Sequence, residues 1–172
     1  ASLVAKVACQ IEQAIHPFLQ QRNLMRVSMR TAAAGRAASQ PLRLTILLDR
    51  SGSMEREDRE QSVLRTMQAL AKHLGPADKI SAIAFARQPR LIADQLGGDR
   101  AKELVGLVAA TPSEGGTNLD EALKLADTLA TRQFDEGAIN RIVLITDGAA
   151  NLGDADPESL KERVIALRQR GI

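Results

Sequence analysis

At 172 residues with 44% hydrophobic content, the chain can bury the core of one globular domain. Its 23 basic and 21 acidic residues are interspersed and leave a net charge of +2; with three Phe and no Trp or Tyr, it offers neither the clustered basic face nor the stacking platforms of a nucleic-acid binder. No apolar run is long enough for direct membrane insertion, and Cys9, the single cysteine, excludes an internal disulfide.

The opening stretch, Ala1 to Lys6, lacks the continuous apolar run of a signal peptide. Leu3, Val4, Val7, Ala8, Ile11 and Ile15 recur at helical spacing and predict a helix over 3–15, with Cys9 as a small core residue and Pro17 ending it. Met25, Val27 and Met29 alternate with polar neighbours, which predicts a half-exposed edge strand over 24–31. Ala32 to Gln40 is a small, polar connection. Residues 1–40 are therefore expected to form a helix-plus-edge-strand extension in front of a main domain over 41–172.

From Pro41 onward the pattern alternates strand and helix. Leu42 to Leu48 is an apolar strand, and Val63, Met67, Leu70, Ala71 and Leu74 mark one face of a helix over 58–74, stopped by Gly75-Pro76. Ile80 to Phe85 is the next strand, Pro89 marks a turn, and Leu91 to Ala93 suit a short edge strand. Asp99 can cap a helix running to Ala109. Leu119, Ala122, Leu123, Ala126 and Leu129 define the inner face of a helix over 118–131, and Arg141 to Ile145 a further strand. Asp156-Pro157 opens the last helix and Gly171 ends it. This alternation predicts an α/β fold: a doubly wound, mostly parallel sheet flanked by helices, with ligands bound at the carboxyl ends of its strands.

Three loops at that end carry oxygen donors. Asp49-Arg50-Ser51-Gly52-Ser53 follows the first apolar strand, Gly115-Gly116-Thr117 precedes a helix, and Thr146-Asp147-Gly148 follows the last strand. Hard divalent cations take oxygen ligands of this kind, so the three loops suggest one assembled site. Each part also has a plain reading. Asp49 can cap a helix, Ser51 and Ser53 are common turn residues, Thr117 can be an N-cap as well as a ligand, and Asp147-Gly148 can be a simple turn. Gly52 is expected to let the turn bring both hydroxyls to one side. Arg50 should point away from Ser51 and pair with a local acid or add positive potential. Glu55, Glu57, Asp58, Asp120 and Glu121 read first as helix-start charges, and Asp154 and Asp156 can shape a partner surface. His16 and His73 form no ligand cluster.

In this order and spacing, Asp49-x-Ser51-x-Ser53, Thr117 and Asp147 resemble the metal-ion-dependent adhesion site of a von Willebrand factor type A domain, over about Pro41 to Ile172. Met54 and the Gly-Gly-Thr-Asn segment match the surroundings. The resemblance is to stand-alone bacterial members, which leans toward a cell-envelope or periplasmic setting. It implies a Rossmann-like sheet that would continue past Ile172 through two more strands and a helix, leaving the edge beside the Ile142 strand to be covered. It also implies that Ser51, Ser53 and Thr117 bind the metal through hydroxyls while Asp49 and Asp147 act mainly through bound waters.

Neutral hydroxyls leave such an ion electron-poor, so it favours an anionic oxygen from outside. The implied partner is a protein presenting Asp or Glu. Mg²⁺ suits the donors, Mn²⁺ shares its ligand preferences, and Ca²⁺ ranks third. An enzyme is not expected. Neither serine lies in a nucleophile elbow, Gly115-Gly116-Thr117 lacks the Lys of a phosphate loop, and no His stands by as base. The alternatives are a scaffold with a non-functional metal site and, behind it, a metal-dependent hydrolase.

Overall fold

The computed structural model describes residues 7–15, 23–31, 40–147 and 157–172. They belong to two compact units, Ala1–Ala38 and Ser39–Ile172. In the first, strand β1 (Val7–Ile15) pairs antiparallel with β2 (Asn23–Thr31). Where the helix expected over 3–15 overlaps the described residues, Val7–Ile15, the chain is a strand, and Cys9 sits on it; residues 3–6 and Pro17 lie outside the described residues. The cause is visible in retrospect. Val7, Cys9 and Ile11 also fall two residues apart, with Gln10 and Glu12 flanking Ile11 and with Ile15 four positions on, which is strand periodicity. The register sets Cys9 against Met29 and Ile11 against Val27. A partner distant in sequence settles the choice, and local periodicity does not contain it.

The second unit is built on strands β3 (Leu42–Asp49), β4 (Lys79–Phe85), β5 (Pro89–Gly97) and β6 (Ile139–Ile145). They form a 4-stranded sheet in the order β5-β4-β3-β6. β3 runs parallel to β4 on one side and to β6 on the other, while β5 closes one edge antiparallel to β4. The chain leaves β3 toward one neighbour and returns to the other, so the carboxyl end of β3 is the topological switch point, where open α/β sheets place their ligands. β5 begins at Pro89 itself and runs well past the short segment expected there. It stays paired through irregularities around Ala82, with Gln95 at φ 44° and its N–H donating to Ser81 Oγ at 3.0 Å.

Helices α1 (Glu57–Ala71), α2 (Ala101–Ala109), α3 (Leu119–Arg132) and α4 (Pro157–Gln169) belong to the same unit. Alternation along β3 divides its core residues between two layers. Leu44, Ile46 and Leu48 pack with Val63 and Met67 of α1 and Leu104 and Val108 of α2. Leu47 joins Ile83, Phe85 and Leu119, Ala122, Ala126 and Leu129 of α3 on the other side. On the α3 side, in line with Leu47, Thr45 is fully buried and accepts from Gln133 Nε2 at 2.7 Å, while Ser81 Oγ donates to Gln133 Oε1 at 3.2 Å. β6 lies at the other edge, where Val143 and Leu144 are exposed.

Two helix starts differ from expectation. Asp99 falls in a 3-10 turn (Gly98–Arg100), and α2 begins after it without a side-chain cap. α3 is capped by Asn118, whose Oδ1 accepts from Glu121 N–H at 3.2 Å, and not by Thr117. Asp156, the expected cap of α4, lies outside the described residues. Gly171 does end α4: at φ 86° it lets Ile172 N–H reach Leu167 O at 3.1 Å, closing a Schellman turn.

Candidate metal centre

Asp49 ends β3 at the switch point and is fully buried. A carboxylate so far from water needs compensating hydrogen bonds. Oδ1 accepts from Ser51 N–H at 2.8 Å and Oδ2 from Thr146 Oγ1 at 2.7 Å. The second bond follows from the sheet, because Leu48 pairs with Ile145 and the next residues of the two strands are Asp49 and Thr146. A carboxylate offers about four acceptor positions, so capacity remains for a metal-bound water.

After Asp49 the chain passes Ser51 and enters a 3-10 turn (Gly52–Glu55), held by Met54 N–H on Ser51 O at 2.9 Å and by the buried Met54 side chain. The turn brings Ser51 Oγ within 3.1 Å of Ser53 Oγ. Gly52 is not what permits this. Its φ is not positive, and a Cβ there would meet nothing within 4 Å. The positive-φ glycine of the site is Gly116, at 92°, packed against the Arg87 backbone.

The loop carrying Thr117 is fastened on both sides. Glu114 N–H donates to Arg50 O at 2.8 Å and Asn118 N–H to Ala86 O at 2.6 Å. This lays the loop beside the end of β3, with Ser51 and Glu114 forming a parallel bridge. Thr117 is half-buried. Among the described residues its hydroxyl hydrogen-bonds to none of the other candidate ligands.

Asp147 follows β6 and is held by a residue that no motif spacing singles out. Arg59, in the first turns of α1, donates from Nη1 to Ser53 O at 2.7 Å and to Asp147 Oδ2. Asp147 is largely buried in this ion pair, its side chain 8% exposed against 32% for Arg59. Gly148, Asp154 and Asp156 lie outside the described residues. Arg50 turns away from the hydroxyls and is buried; it donates to Thr111 O and lies 3.5 Å from Glu60, the local acid.

Asp49, Ser51 and Ser53 are therefore linked directly, Asp147 is tied to them through Arg59, and Thr117 stands on an adjoining loop. Among the described residues no three His, Cys, Asp or Glu gather as a metal-binding group. Arg59 is the residue that the motif missed, and Thr146, named there only as part of its loop, is the partner of Asp49. Thr146 could have been found by continuing the strand register past Leu48; no spacing rule points to Arg59.

The family model of the von Willebrand factor type A domain matches residues 44–149. The chain belongs to this family. The uncharacterized protein YfbK of Escherichia coli is 31% identical over 172 residues, a match that covers 100% of this chain and 30% of the relative. The present chain thus spans less than a third of that relative's length. Among solved structures, proximal thread matrix protein 1 from the mussel byssus, with a zinc-occupied adhesion-site motif, superposes at TM-score 0.62 with 18% identity, over 77% of this chain and 34% of that one. The von Willebrand factor domain of the type V pili tip protein Mfa5 from Porphyromonas gingivalis gives 0.56 with 22% identity, over 66% and 40%. At those identities they establish the fold alone. Type A domains commonly mediate protein interactions, and a divalent metal is seen in at least the mussel member. Among the described residues of this domain, no helix is long and apolar enough to cross a membrane.

Proposed function

We propose that Asp49, Ser51, Ser53, Thr117 and Asp147 hold a divalent cation, and that this domain uses it to capture an Asp or Glu side chain of a partner protein. The observation that carries the reading is the pair of hydroxyls, Ser51 Oγ and Ser53 Oγ, 3.1 Å apart beside the buried Asp49 at the sheet's switch point. The donor set suits Mg²⁺ first and Mn²⁺ next, since both take oxygen ligands and keep several waters. When bound, the ion supplies an open coordination position for an anionic oxygen. Ser51 and Ser53 would contribute neutral oxygens, and Asp49 would orient a bound water while its own oxygens stay fixed by Ser51 N–H and Thr146. The role is binding and not catalysis, and a bacterial envelope setting is in keeping with it.

Titration calorimetry tests this. The wild-type domain should take up Mg²⁺ and Mn²⁺ at one site, and Ser51→Ala and Asp49→Ala should lose uptake while circular dichroism shows the fold retained. Equal uptake in wild type and Ser51→Ala would place the ion elsewhere.

A second reading has one observation in its favour. Arg59 already sets a positive charge on Asp147, as a scaffold with a non-functional site would need. That reading expects no heat of Mg²⁺ binding in the wild type.

A further inference from the structure

We infer that Arg59 is an internal competitor of the cation: its guanidinium occupies Asp147, and metal capture proceeds against it. This rests on the metal reading above. Two bonds from one nitrogen join Arg59 to Ser53 O, at 2.7 Å, and to Asp147 Oδ2. Asp147 Oδ2, at the end of β6, is a candidate ligand atom, and the Ser53 carbonyl belongs to the residue whose hydroxyl is another, in the turn after β3. Arg59 therefore bridges two of the three loops that a cation would bring together.

Charge counting gives the consequence. The ligand set holds two carboxylates. Asp49 has both oxygens engaged by internal hydrogen bonds. Asp147, the other, faces a fixed positive charge in a largely buried setting, where a charge-assisted bond is strong. A doubly charged ion entering beside Arg59 meets like-charge repulsion as well as a neutralised ligand. The resting domain is thereby held at lower metal affinity than its ligands would give alone. An incoming carboxylate restores the balance, so the ion and the acidic partner favour each other's binding.

The test compares wild type, Arg59→Gln and Arg59→Lys by Mg²⁺ titration calorimetry, and by thermal unfolding in EDTA and in saturating Mg²⁺. Arg59→Gln should bind Mg²⁺ about tenfold more tightly, the factor expected when one charge-assisted contact stops competing. It should also melt lower than wild type in EDTA, where the bridge is lost, and recover most of that difference in Mg²⁺. Arg59→Lys, which keeps the charge, should stay near wild type in affinity. Binding by Arg59→Gln that is equal to or weaker than wild type overturns the competition and leaves the metal site standing. Uptake by neither protein overturns both readings. Uptake by Arg59→Gln alone supports the competition and overturns metal capture by the unaltered domain.

Discussion

Two glycines of the motif loops look alike in sequence and differ in what they do. Gly116, at φ 92°, sits in a region that side chains rarely enter, beside the Arg87 backbone. Gly116→Ala should cost about 1–2 kcal/mol in urea unfolding and weaken Mg²⁺ uptake, because Thr117 follows directly. Gly52→Ala should leave stability within about 0.5 kcal/mol of wild type, since open space surrounds the new methyl. The same contrast marks what sequence can say about individual residues. Ser51 and Ser53 were legible because three consecutive positions fix their geometry. Arg59 was not, because its acid partner lies 88 positions away and nothing in the spacing foretells the pair.

At the level of elements, the runs that read most clearly were those whose environment is uniform. β3 is buried on both faces, so its largely apolar run, interrupted only by Thr45 after Leu44, had one meaning. β1 carried two periodicities at once, and β2 chose between them. α4 shows another element whose placement depends on its partners. Arg163 reaches Asp120 at 3.1 Å and Arg170 reaches Asp127 at 2.6 Å, both on α3. The hydrogen bond from Lys124, more than the charge of Arg163, holds the Asp120 carboxyl below its ordinary range. A carboxylate lowered in the folded state adds stability that is complete above the unfolded value, about 3.9, and is lost as pH falls through the folded one. Amide protection factors over α4, which correct for the slower intrinsic exchange of acid, should therefore fall in high salt and again in acid, while those in β3 stay high. Uniform protection across both conditions would show that packing through Leu167, not charge, seats the helix.

On the scale of the whole molecule, the outer strands of the described sheet differ: β5 runs antiparallel with irregular pairing, whereas β6 runs parallel. The register itself is secured in the middle of the sheet. Gln133 clasps Thr45 on β3 and Ser81 on β4, neighbours across the ladder. Sliding either strand by one place would swing its hydroxyl to the opposite face and strand an amide in oil. The clasp works as a locating pin, fixing where β3 ends and hence the height at which Asp49 stands above the sheet.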